Sequence, residues 1–274
     1  SGYDLTHLFV GSEGTLGVVT EITLKVNPKP RKTAACSGGF DTIEDAGKAV
    51  SEVMRSGILP SALEILDDRC IEALKRDADL KLPDVSAMVF AEADGQTTEE
   101  VAYQLDQIID IFNGNKAIAV KKAESEADLQ ALWTARKSIG GILFRISYNM
   151  LAEDVTVPIS RVPEMLKGIQ EISRRHNVLI ATLGHLGDGN LHPNIIFDGR
   201  DPDQKARAQH AVDDLFRLAI DKGGTLTGEH GIGLAKAPFM PLEHDAVAMK
   251  TMSKIKRIFD PKNILNPGKM ALEV

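Results

Sequence analysis

The chain has 274 residues, 43% of them hydrophobic and 26% charged, with 32 Lys and Arg against 39 Asp and Glu for a net charge of −7. This is globular composition, with apolar material for one large domain or two small ones. Its mild acidity, without a Lys/Arg block, excludes nucleic acid or an anionic membrane as the main partner. No apolar run approaches the ~20 residues that span a bilayer, and nothing at the start reads as a signal peptide. Cys36 and Cys70 are too few for a disulfide framework or a zinc ribbon. The expected location is the cytoplasm.

In chain order, an apolar stretch at 5–10 leads into Gly11-Ser12-Glu13-Gly14-Thr15-Leu16-Gly17. Residues 18–26 then alternate Val18, Thr20, Ile22, Leu24 and Val26 against Val19, Glu21, Thr23 and Lys25, a period-two strand pattern stopped by Pro28 and Pro30. A lone strand cannot cover its own apolar face, so residues 1–30 are expected to be the tail of another domain. A strand at 33–40 follows. Thr42-Ile43-Glu44-Asp45 then reads as a capped start for a helix to about residue 55. Next come a strand at 62–66, a short helix at 70–75, a strand at 87–93, a helix at 97–112 and a strand at 117–120. This strand–helix–strand, strand–helix–strand order is that of a ferredoxin-like split unit. It recurs after a helix at 126–144, as a strand at 151–157, a helix at 161–176, strands at 178–183 and 190–197, a helix at 202–222 and a short strand at 225–226. A last helix at 245–259 precedes a loop. Residues 31–274 are therefore expected to form an α+β domain, an antiparallel sheet with helices on one face.

Histidine carries the sharpest chemistry. In Gly184-His185-Leu186-Gly187-Asp188-Gly189-Asn190-Leu191-His192, a two-residue Asp188-Gly189 turn would set His185 opposite His192, with Cβ atoms ~4.5–5.5 Å apart. Asn194 projects from the same face. Two histidines flanking a turn are as readily two solvated side chains. The second cluster, Thr227-Gly228-Glu229-His230-Gly231-Ile232-Gly233, favours ligation, because its glycines let the backbone approach a ligand. His185, His192 and Glu229 make a two-histidine, one-carboxylate metal site with open positions. His230 is then a proton acceptor beside it. Arg136 suits a planar carboxylate, although alone it reads as a solvated surface arginine. Cys36, Cys70 and Trp133 read as packing residues.

The segment Asp4-Leu5-Thr6-His7-Leu8-Phe9-Val10-Gly11-Ser12-Glu13-Gly14-Thr15-Leu16-Gly17-Val18-Val19-Thr20-Glu21 resembles the end of an FAD-binding domain of the vanillyl-alcohol-oxidase type. The stretch 184–192, then Gly228-Glu229-His230-Gly231, then Leu265-Asn266-Pro267-Gly268-Lys269, is similar in that order to the carboxy-terminal part of FAD-linked 2-hydroxy-acid dehydrogenases. That family includes the glycolate oxidase flavin subunit, D-lactate dehydrogenase and D-2-hydroxyglutarate dehydrogenase. The resemblance implies FAD-dependent oxidation of a D-2-hydroxy acid to the 2-oxo acid, assisted by a divalent metal such as zinc. By the same resemblance, Arg136 and Asn194 grip the substrate carboxylate, His230 removes the hydroxyl proton, and Glu13, Gly14, Ile22 and Asn266 touch the flavin. It also implies an upstream FAD domain as partner, a fragment inactive alone, and an electron-acceptor protein or quinone, with the protein at most peripheral to the inner membrane. Two other classes share the same residues: a metal-dependent hydrolase with His230 as base, and a non-catalytic binding or scaffold module.

Overall fold

A computed structural model describes residues 1–78, 82–147 and 149–272. The chain divides into two compact units, one of residues 29–224 and the other of residues 1–28 with 225–274. Residues 225–274 thus group with the amino-terminal stretch and not with residues 29–224.

Helix α1 (Leu5–Phe9) opens the chain in the smaller unit. The larger unit then runs β1 (Lys32–Phe40), α2 (Ile43–Arg55), β2 (Ala62–Asp67), α3 (Asp68–Ala78), β3 (Ala87–Gly95), α4 (Thr98–Gly114) and β4 (Lys121–Lys122). It continues with α5 (Glu126–Ile146), β5 (Asn149–Ala152), β6 (Val155–Thr156), α6 (Val162–His176), β7 (Leu179–His185), β8 (Asn190–Phe197) and α7 (Pro202–Asp221). Helices α8 (Met240–Glu243) and α9 (Ala246–Phe259) belong to the smaller unit.

The strands form one antiparallel sheet in the order β4-β1-β3-β2-β7-β8-β5, with β6 also on β8. The first four have the split strand–helix–strand arrangement expected from their order, and β5-β8-β7 repeats its pairing. Side-chain caps start the helices where the sequence places them. Thr42 accepts from Asp45 N–H, Thr97 from Glu100 N–H and Ser125 from Asp128 N–H.

Alternation along the strands sorts the two faces. Phe40 of β1 stacks edge-on against Phe112 of α4, with ring centroids 5.7 Å apart, and α2 and α6 pack together through Gly47 and Pro163 on that side. Helices α3 and α5 cover the opposite face. There Leu74, Ile139, Ile142 and Leu143 cluster with Met88, Phe90, Ala181 and Ile196, each large side chain stabilising by about 1.5–3 kcal/mol. The one-sided cover expected from sequence is thus joined by a second layer.

Four expected strands differ. Residues 18–26 form no strand; Val18, Ile22, Leu24 and Val26 are exposed, and none of the described strands pairs with the segment. A strand exists only where its backbone finds a partner. Residues 117–120 stay outside the ladder, although Ile118 and Ala119 exchange hydrogen bonds with Gly39, and the strand forms at β4 instead. The expected strand at 151–157 splits into β5 and β6, both on β8. At 225–226 there is only a single bridge residue. Among the described residues, no helix is long and apolar enough to cross a membrane.

Candidate functional site

In the larger unit, β7 and β8 bring His185 and His192 together, but not in the register read from the sequence. His185 lies opposite Asn190, and His192 lies opposite Leu183. The turn spans four residues because Leu186, fully buried, turns its N–H to Leu63 O of β2 at 2.7 Å and leaves the hairpin ladder. Asp188 Oδ1 then accepts from Asn190 N–H at 3.1 Å. Gly189 has φ +80°, and a Cβ there would stand 2.1 Å from Val157 O. The slip is two residues, so side-chain parity survives and the histidines remain diagonal neighbours on one face. Their ring centroids are 5.1 Å apart and nearly perpendicular.

That face also holds a carboxylate the sequence reading missed. Glu64 of β2 pairs directly with His185, and its Oε1 lies 2.6 Å from His185 Nδ1. Its Oε2 accepts from Arg136 Nε at 2.9 Å and from the guanidinium Nη2 at 2.6 Å. The Arg136 and Glu64 side chains are 12% and 11% exposed, so this is a shielded pair and not a surface one. Arg136 reaches it because Ile139 and Leu143, three and seven residues on, pin the same stripe of α5 to the sheet. One turn earlier, Trp133 Nε1 donates to Glu92 Oε2 at 2.6 Å. The signal for Glu64 was the one carboxylate in the otherwise apolar run 62–66.

Asn194, on the same face as His192, is buried. Its Nδ2 donates to Ala181 O at 3.2 Å and to His192 O at 2.8 Å, which commits both amide hydrogens to the backbone. Further along β2, Asp67 accepts from Cys70 N–H and Thr182 N–H. Burial pushes its carboxyl up to about 7 against these two bonds. Burial also drives the thiols up, Cys36 to about 12 and Cys70 well above its usual value with Asp67 adding to the effect, so neither offers a thiolate.

Glu229 and His230 belong to the smaller unit, both exposed on the loop 227–233. Gly231 N–H donates to Thr227 Oγ1 at 2.9 Å. The two carboxylate oxygens of Glu13 accept from Ile232 N–H at 2.5 Å and Gly233 N–H at 2.7 Å. Gly231 has φ +83°, and a Cβ on it would lie 2.9 Å from Glu13 Oε1. Asn266 Nδ2 donates to Glu13 O at 2.5 Å and fills the space where a Cβ on Gly14 would stand. Beneath this, buried Lys256 donates to Asp260, Thr15 O and Leu265 O. Of the four residues expected at the flavin, Glu13, Gly14 and Asn266 therefore gather into one packed corner. Ile22 stands apart, 71% exposed.

These features define an antiparallel α+β domain with facing imidazoles backed by a carboxylate–guanidinium pair. The model of FAD linked oxidases, C-terminal domain, matches residues 28–270, and the chain belongs to that family. It is 40% identical over 271 residues to the glycolate oxidase subunit GlcD of Bacillus subtilis (strain 168), across 98% of this chain and 57% of that protein. Against mitochondrial D-lactate dehydrogenase [cytochrome] of Arabidopsis thaliana it is 32% identical, across 98% of this chain and 48% of that one. The chain thus spans about half the length of the curated relatives it matches. In fold it is similar to p-cresol methylhydroxylase, with a TM-score of 0.64 at 16% identity over 90% of this chain and 54% of the other. Alkyldihydroxyacetonephosphate synthase gives 0.63 at 17% identity, over 97% and 49%.

Proposed function

We propose that this chain is the substrate-binding part of an FAD-dependent enzyme that oxidises a D-2-hydroxy acid of the lactate, glycolate or 2-hydroxyglutarate type to the 2-oxo acid, passing electrons on to a protein or quinone acceptor. In this reading His185, His192 and Glu229 hold a divalent ion, zinc being the expected one. The observation that carries it is the facing imidazole pair, 5.1 Å between centroids, with Glu64 against His185 Nδ1. A carboxylate on one ring nitrogen makes the other the ligating one, and imidazoles with a carboxylate suit zinc and similar ions. The residues present fit such an ion.

A bound ion would supply Lewis acidity, and a bound flavin would supply a hydride acceptor. The chain's own residues do the rest. Arg136, partly buried and oriented by Glu64, offers its remaining N–H groups to the substrate carboxylate. Asn194 has both amide hydrogens committed, so what it presents is Oδ1, an acceptor for a hydroxyl. His230 takes the hydroxyl proton, and the glycines beside it let the loop come close to a ligand. Glu13, Gly14 and Asn266 hold the cofactor-side corner, with Ile22 on the adjoining segment.

The test has two arms. Zinc should remain stoichiometric with the chain after dialysis, and His192→Ala should lose it; a metal-free native chain would refute the reading. In the FAD-bearing whole protein, D-lactate, glycolate or D-2-hydroxyglutarate should bleach the flavin anaerobically, and Arg136→Met should raise the concentration required by more than tenfold. Bleaching by none of the three would refute the substrate class.

A further inference from the structure

Glu64 has no part in the reading of the sequence, yet it joins His185 and Arg136 on the candidate face. Its two oxygens are divided. Oε1 faces His185 Nδ1 at 2.6 Å, and Oε2 takes two N–H groups of Arg136 at 2.9 and 2.6 Å. The backbone dictates this sharing. Glu64 and His185 are register partners across β2 and β7, and Arg136 comes down from α5 above the same face. Only 8% of the residue is exposed, so its charge is poorly screened and its position is fixed by ladder and helix together.

We propose that Glu64 is a positioning residue coupling the two halves of the site. One carboxylate oxygen fixes the tautomer and ring angle of His185 for the ion, and the other orients Arg136 for the substrate carboxylate. The idea rests on the functional reading above. A ligating histidine needs its second nitrogen held, and loss of such a partner weakens metal affinity about 10–100-fold. Arg136 has five N–H donors, of which Glu64 takes two, so an incoming carboxylate meets a guanidinium already turned toward it. A purely structural ion pair would need neither the contact to His185 nor a carboxylate split between two partners.

The experiment compares the native chain with Glu64→Gln, which keeps the shape and removes the charge. Cobalt(II) affinity is read by visible absorption, and the His185 ring nitrogens by 15N NMR in the zinc-loaded chain. Support is a cobalt dissociation constant raised about 10–100-fold in Glu64→Gln, with unchanged circular dichroism and with native His185 protonated on Nδ1. Equal affinity in the two proteins overturns the coupling and leaves the metal site standing. A native chain that binds no cobalt or zinc overturns both. If Glu64→Gln does not fold, the native spectrum decides: zinc on Nε2 of His185 with Nδ1 protonated supports the proposal, and zinc on Nδ1 refutes it.

Discussion

The histidine pair of the larger unit and the loop 227–233 of the smaller one are fixed by opposite means. His185 and His192 sit on neighbouring strands whose ladder also pairs His185 with Glu64, so regular backbone bonding sets their positions. Glu229 and His230 stand on irregular backbone, kept in shape by the Glu13 carboxylate, 219 residues from Ile232 in sequence, and by the Thr227 hydroxyl. A ladder spreads its constraint over many bonds and tolerates the loss of one. A loop seated on one carboxylate concentrates it in a single side chain. The histidine pair thus inherits its rigidity from the sheet, and the loop depends on a remote residue.

That contrast breaks most sharply at the hairpin turn. Gly189→Ala places a methyl against Val157 O at a positive φ and should lower the unfolding free energy by about 2–4 kcal/mol. Gly187→Ala, two residues away with only Leu63 Cβ near at 3.9 Å, should be close to neutral in the same denaturant titration. Similar costs at both positions would show that the turn is not the anchor described here.

A smaller and local effect is expected at Glu13. Glu13→Gln sets an amide against one of two backbone donors and should weaken the loop by about 1–2 kcal/mol. Hydrogen exchange at Ile232 and Gly233 should quicken while the amides of β7 and β8 keep their protection. Unaltered exchange at both glycine-loop amides would contradict the seating role.

The smallest effect is a slope. Asp67 is raised from 3.8 to about 7 in the folded chain, mainly by burial. Between those values the native carboxyl keeps a proton that the unfolded one releases, so this group's contribution to stability is full below pH 3.8 and declines as pH rises toward 7. Asp67→Asn should flatten that part of the stability–pH curve; an unchanged slope would show that burial does not govern this group.

Much of this was legible before any coordinates. The start of α2 followed from the capping residue Thr42, and the order of strands and helices gave the split arrangement. The histidines were recognised as facing each other even though the register was two residues off, because a two-residue slip preserves the face. Arg136 looked like a surface residue, yet its spacing to Ile139 and Leu143 marks the buried stripe of α5. What stayed hidden was non-local. Nothing in the sequence pairs Glu64 with His185, or Glu13 with Ile232 and Gly233, since both depend on strand order and chain return. Residues 18–26 show the converse, a strand pattern without a strand, because alternation is a property of the segment and pairing is a property of its neighbours.

Zinc K-edge X-ray absorption on the zinc-loaded chain tests the central claim most directly. It should show two imidazole nitrogens and a carboxylate oxygen at about 2.0–2.2 Å, with one imidazole lost in His192→Ala. A shell without imidazole scattering, or one indifferent to that substitution, would contradict the account.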